Sequence, residues 1–185
     1  MGNGMNFLNE NKQLWRRCLS ERIHLTGGQP NQALFLVSAC LCGLACRYDG
    51  QAKPVGRLAE FHQMGFVMAV CPEVEGGLST PRPPCELFLG KVVSRDGLNL
   101  TDAFQCGAER ALDLARKNSL RLAVLKDNSP SCGSTTVYDG SFKGRLIPGQ
   151  GLTTVLLREH GLLVISDRQY LTLEKEIITS LSLRS

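Results

Sequence analysis

The chain has 185 residues, 43% of them hydrophobic, and carries 21 Lys and Arg against 17 Asp and Glu, a formal net charge of +4. That length suits one domain plus some extra chain at an end, and a basic excess so small and scattered does not by itself argue for a nucleic-acid stripe. No window approaches the roughly 18 consecutive apolar residues of a membrane span, and the polar start lacks the apolar stretch of a secretory leader. The expectation is a cytoplasmic protein without a membrane role. Eight cysteines at 18, 40, 42, 46, 71, 85, 106 and 132 would form a disulfide framework in a small secreted chain. In the cytosol thiols stay reduced, so these are expected to be ligands, nucleophiles or small core residues.

Residues 1–31 read as an N-terminal extension, with a short amphipathic helix near 8–23 or a disordered arm, closed by a breaker cluster at 26–30. A single α/β domain is predicted over 32–185. Its first element, 33–38, is a short apolar run of the kind buried in a parallel sheet covered on both faces. A helix follows over 57–64, with Gly65 placed to stop it, and then a second buried strand over 66–70. A long Gly/Pro loop leads to a Val-rich hairpin or edge strand near 91–94. Thr101 is predicted as the N-cap of a helix over 102–117, whose Phe104, Ala108, Ala111, Leu112 and Ala115 make one apolar face. The third strand spans 120–125, a helix covers 151–160, the fourth strand lies at 162–165, and a last helix covers 171–183. Strands alternating with helices predict a Rossmann-like, three-layer α/β domain with a mostly parallel sheet, whose ligand crevice lies beyond the carboxyl ends of the strands.

The cysteines are informative by position. Cys40 directly follows the first strand, Cys71 directly follows the second, and Cys132 lies in the loop leaving the third, 31 and 61 positions apart in the chain. In a parallel sheet those loops open on one rim, so the three thiols converge. Convergent thiolates suit a soft metal or an iron–sulfur cluster; as a plain packing pattern they would be three small buried hydrophobes. A four-iron cluster with three thiolate ligands keeps one iron open. Glu73 and Ser129 lie beside two of these cysteines and face the same crevice, where a carboxyl and a hydroxyl can exchange protons with a substrate; as structural residues they would be a loop-rim carboxylate and a Ser-Pro turn. Cys42 and Cys46 are alternative ligands or core thiols. Arg47, Tyr48, Arg82 and Lys126 are candidate substrate-binding residues, each equally at home as a turn, loop or strand-end residue. His24, His62 and His160 are scattered, which argues against a His-based metal site.

Five segments, LVSACLCGLACRYDG, CPEVEGGLSTPRPP, LKDNSPSCGS, YDGSFKGRLIPGQG and LTTVLLREHG, resemble in order the motifs of the bacterial TudS-like thiouracil desulfidases, a domain-of-unknown-function family numbered 523. The resemblance runs from about residue 33 to 167. It implies a [4Fe-4S] cluster on Cys40, Cys71 and Cys132, with Glu73 and Ser129 in catalysis and a thiolated pyrimidine as substrate: thiouracil would become uracil with release of sulfide, without electron transfer. No long C-terminal partner domain is present, which favours the free base over a thiolated tRNA. Cys42 departs from the leucine expected in the first motif and Cys85 from a small residue after the prolines. The oligomeric state is not set by the sequence. The competing classes are a non-catalytic zinc- or nucleotide-binding module and a thiol redox enzyme working through Cys42 and Cys46.

Overall fold

The computed structural model describes residues 3–27 and 32–182. Four strands form a parallel sheet: β1 (Phe35–Ser38), β2 (Val67–Val70), β5 (Leu122–Leu125) and β8 (Leu163–Ser166), in the order β2-β1-β5-β8. Every side chain of β1 and β5 is buried. That explains why these segments are runs of apolar residues rather than alternating, with Ser38 at the end of β1 accepting from the Lys126 amide: both faces of a parallel sheet are covered.

Consecutive side chains serve opposite layers. Phe35, Val37, Leu122, Val124 and Ile165 pack into one hydrophobic cluster with Leu58 and Phe61 of α2 (Leu58–Gln63) and Tyr170, Leu173 and Ile177 of α6 (Asp167–Ser182). Leu36, Val70, Ala123, Leu125 and Val164 pack on the other side against Ala111, Leu112 and Ala115 of α4 (Thr101–Lys117) and Leu157 of α5 (Leu152–Glu159). The expected three-layer α/β architecture is present.

Helix α1 (Asn3–Thr26) is longer than the segment expected over 8–23, and it is part of the first cluster. Trp15, Leu19 and Ile23, spaced four apart on one face, are almost fully buried, and the Trp15 ring meets Phe35 edge-on at 5.4 Å between centroids. The chain's one tryptophan thus caps the central strand. Of the predicted breaker cluster, residues 28–30 lie outside the described residues, as does residue 183 of the predicted last helix.

Two hairpins stand beside the sheet: β3 (Cys85–Phe88) with β4 (Lys91–Ser94), and β6 (Thr136–Tyr138) with β7 (Leu146–Pro148). A single helical turn, α3 (Pro72–Glu75), breaks the long Gly/Pro loop. Thr101 does not cap α4: Leu100 holds the cap position. The Thr101 hydroxyl instead donates to Asn99 Oδ1 (2.6 Å) and accepts from the Val92 amide (3.0 Å), tying the helix start to β4.

Candidate active site

Cys40 sits in a 3-10 turn (Ala39–Cys42) that continues β1 and is stopped by Gly43, whose φ of 91° places it in the left-handed region open to glycine. Cys71 caps α3 directly after β2, and Cys132 lies in the loop leaving β5. The three strands that deliver these cysteines are adjacent in the sheet, with the strand of Cys40 in the middle. Cys40, Cys71, Cys132, Glu73 and Ser129 all line one cavity of about 390 Å³, a size typical of small-molecule sites.

Close backbone packing holds the two outer turns. Any side chain at Gly107 of α4 would collide with the Pro72 carbonyl, so the Cys-Pro-Glu turn seats on bare helix backbone. At the other side the Thr154 hydroxyl donates to the Cys132 carbonyl (2.9 Å), and the hydroxyls of Ser131 and Thr153 share a hydrogen bond (2.8 Å).

Cys46 joins the group: its thiol is hydrogen-bonded to those of Cys40 and Cys71, and Cys71 Sγ also donates weakly to the Cys46 carbonyl (3.6 Å). The bond to Cys40, then burial, pushes the Cys46 thiol up to about 11, although the bond from Cys71 works against this. The bond to Cys46 and burial raise the Cys71 thiol, and burial pushes Cys132 up to about 12. Raised in this way, the Cys46, Cys71 and Cys132 thiols keep their protons at ordinary pH, so any metal that takes them must displace protons. Cys42 is different. It is buried in the hydrophobic cluster with Tyr170, and that burial pushes its thiol up to about 12.

Among the described residues, no three His, Cys, Asp or Glu side chains are gathered so as to hold a single metal ion. A four-iron cluster makes a different demand, since each thiolate goes to a separate iron rather than to one shared ion. Three soft donors on three separate loops fit that requirement.

Glu73 is fixed at both oxygens. Oε2 accepts from Arg82 Nε (2.8 Å) and Oε1 from the Ser129 hydroxyl (3.3 Å). Ser129 Oγ in turn accepts from the amides of Ser131 and Cys132, both at 3.1 Å, which aims its proton at Glu73. The Arg82 side chain is 5% exposed and also donates to the Ser79 carbonyl, the Thr80 hydroxyl and the Cys46 carbonyl. The sequence offered Arg82 for meeting a substrate anion; it lines the cavity, and all three of its side-chain nitrogens are engaged within the protein. Lys126 likewise lines the cavity but pairs with Asp167 (2.9 Å) and donates to the Asp127 carbonyl. Arg47 pairs with Asp49 (2.8 Å) and lies 5.7 Å from the centre of the Tyr48 ring; both Arg47 and Tyr48 line the cavity.

Three contributors went unnoticed in the sequence. Asp127, 2% exposed, accepts from the amides of Ser134, Thr135 and Thr136 and from the Thr135 hydroxyl, shaping the loop that carries Cys132. Glu86, 7% exposed, and Phe142 also line the cavity. An Asp at a strand end before a run of Ser and Thr is a recognisable loop-binding signal; Glu86 and Phe142 carry no comparable local mark.

Comparison with known proteins follows this geometry. Residues 35–169 match the family described as 2-thiouracil desulfurase. An uncharacterised protein of Bacillus subtilis (strain 168), YbbK, is 36% identical over 146 residues, which cover 74% of this chain and 97% of YbbK. The solved structure of the [4Fe-4S]-dependent thiouracil desulfidase TudS is 46% identical, with a TM-score of 0.73, covering 82% of this chain and 99% of that one. The four-stranded fold, the convergent thiols and the extent of these matches agree: the chain belongs to the 2-thiouracil desulfurase family.

Proposed function

We propose that this protein is a [4Fe-4S]-dependent desulfidase that hydrolyses a thiolated uracil to uracil and hydrogen sulfide, with Cys40, Cys71 and Cys132 as cluster ligands and Glu73 and Ser129 as proton-handling residues. The observation that carries this reading is the meeting of three thiols from adjacent parallel strands in one cavity with a hydrogen-bonded Glu73–Ser129 pair. Held by Cys40, Cys71 and Cys132, the cluster would supply Lewis acidity to polarise a carbon–sulfur bond in the cavity.

The residues do the rest. Water adds at the polarised carbon, and Glu73 takes its proton at Oε1, the oxygen that faces Ser129. Arg82 occupies Oε2, so the carboxylate cannot rotate away from its partner. Glu73 returns that proton to the sulfur as the carbon–sulfur bond breaks, and the proton of the added hydroxyl follows it to the departing sulfide as the new carbonyl forms. One water is consumed, one hydrogen sulfide leaves, and no electrons are exchanged.

A cavity of about 390 Å³ supports a small ring as substrate more than a folded RNA, and the cytoplasm, where thiols stay reduced, supports the cluster's assembly. Anaerobic purification, iron and sulfide assays and incubation with 2- and 4-thiouracil test the reading. Uracil and sulfide are expected in equal amounts; a cluster-loaded protein that produces neither would end it.

A further inference from the structure

The loop between β6 and β7 carries an unusual residue. Phe142 has a φ of 55°, a left-handed backbone that aromatic side chains rarely adopt. Strain of this kind persists where surrounding groups impose it, and it collects at ligand sites. The group imposing it here is Glu86. One oxygen of that buried carboxylate accepts from both the Gly140 and the Phe142 amides, each at 2.9 Å. A buried carboxylate is costly unless hydrogen-bonded, and these amides satisfy it only while the loop keeps this shape. Asp139 tightens the same turn by accepting from the Ser141 amide and hydroxyl.

Phe142 is half-buried, and the Arg95 guanidinium lies 5.9 Å from its ring centre. Phe142, Arg95 and Glu86 line the same cavity as Cys40, Cys71, Cys132 and Glu73. A hydrolysis at one ring carbon requires that a flat heteroaromatic ring be held at a fixed angle, and an aromatic face is the usual means of holding one. The geometry points to Phe142 as the surface against which the thiolated pyrimidine packs, with Glu86 as the positioning residue that holds it in place. This inference rests on the desulfidase reading for the identity of the ring, though not for its binding.

The test uses cluster-loaded protein and two ligands: thiouracil, which reacts, and uracil, which only binds. Phe142→Ala is expected to weaken uracil binding and raise KM for thiouracil, each by about tenfold, the loss of one aromatic contact and its buried area. The kcat value should fall less than KM rises, while iron content and Tm stay at wild-type levels. Phe142→Tyr keeps the ring face and should recover most of the uracil affinity lost in Phe142→Ala. Glu86→Gln should weaken uracil binding in the same direction by releasing the loop.

Uracil binding by Phe142→Ala within about twofold of wild type would overturn the inference, whatever the turnover. If the wild type binds uracil through Phe142 yet leaves thiouracil intact, the platform stands and the desulfidase reading fails. If thiouracil is turned over with unchanged KM in Phe142→Ala, the reading stands and the platform fails.

Discussion

Arg82 donates to Glu73 across 2.8 Å, with its own side chain almost closed off from solvent. That pair ties the loop after β2 to the segment after Cys40, because Arg82 also reaches the Cys46 carbonyl and its amide donates to the Tyr48 carbonyl (2.8 Å). Removing Glu73 should therefore separate chemistry from assembly. Glu73→Gln is expected to keep iron and visible colour and to lose about 10²–10⁴-fold in kcat, the usual contribution of a positioned proton carrier. Iron assay beside steady-state kinetics checks both halves. Arg82→Lys keeps a charge but loses the planar fork, and should lower kcat by about tenfold or more while retaining the cluster.

The cysteines divide by position. Cys132→Ser should lose iron and turnover together, since it removes one of the three proposed soft ligands. Cys42→Ala should keep both, because Cys42 packs in the hydrophobic cluster with Tyr170 and Phe35. Its cost is a small loss of packing, about 1 kcal/mol in chemical unfolding. Loss of activity in Cys42→Ala with iron intact would favour thiol redox chemistry instead.

Asp127 gives a pH dependence to stability. Burial pushes its carboxyl up, but hydrogen bonds from the Thr135 hydroxyl and the amides of Thr135, Ser134 and Thr136 outweigh burial, so it lies below the ordinary carboxylate value. A lowered folded-state pKa means the stabilisation is full above the unfolded value of about 3.9 and is lost as pH falls through the lower folded one. Asp127→Asn should cost about 1–3 kcal/mol near neutral pH. Its deficit relative to wild type should shrink below about pH 4, measured by urea unfolding across pH.

Helix α1 supplies the fourth prediction. Trp15 is 1% exposed against Phe35, so Trp15→Ala should destabilise the domain by about 3–5 kcal/mol. Thermal unfolding reads this directly, and an unchanged Tm would show that the helix is not part of the core in solution.

Much of the site was legible in the sequence for a simple reason. Buried parallel strands are short unbroken apolar runs, so their ends can be located, and Cys40 and Cys71 stand directly at two of them. The hydrophobic stripe of α1 was harder to see. Trp15, Leu19 and Ile23 are separated by charged and polar residues, and nothing local indicates that Phe35 waits to receive them. The engagements of Arg82 and Lys126 were hidden for the same reason: Glu73 and Asp167, the partners that occupy them, become neighbours only through the fold. At Thr101 a local capping rule met stronger competition, since Asn99 and the Val92 amide claim its hydroxyl. The β6–β7 hairpin has no clean alternation to announce it, as every residue of β7 is exposed.

The strands that lead into Cys40, Cys71 and Cys132 are immediate neighbours, and both pairings join strands that lie far apart in the chain. Until all three strands have zipped together in that order, no fragment of the polypeptide owns the complete set of proposed ligands. On that ligand set, acquisition of iron would be a topology check: a molecule with any one of the three strands misplaced would stay colourless, and brown colour would report that the sheet has closed correctly.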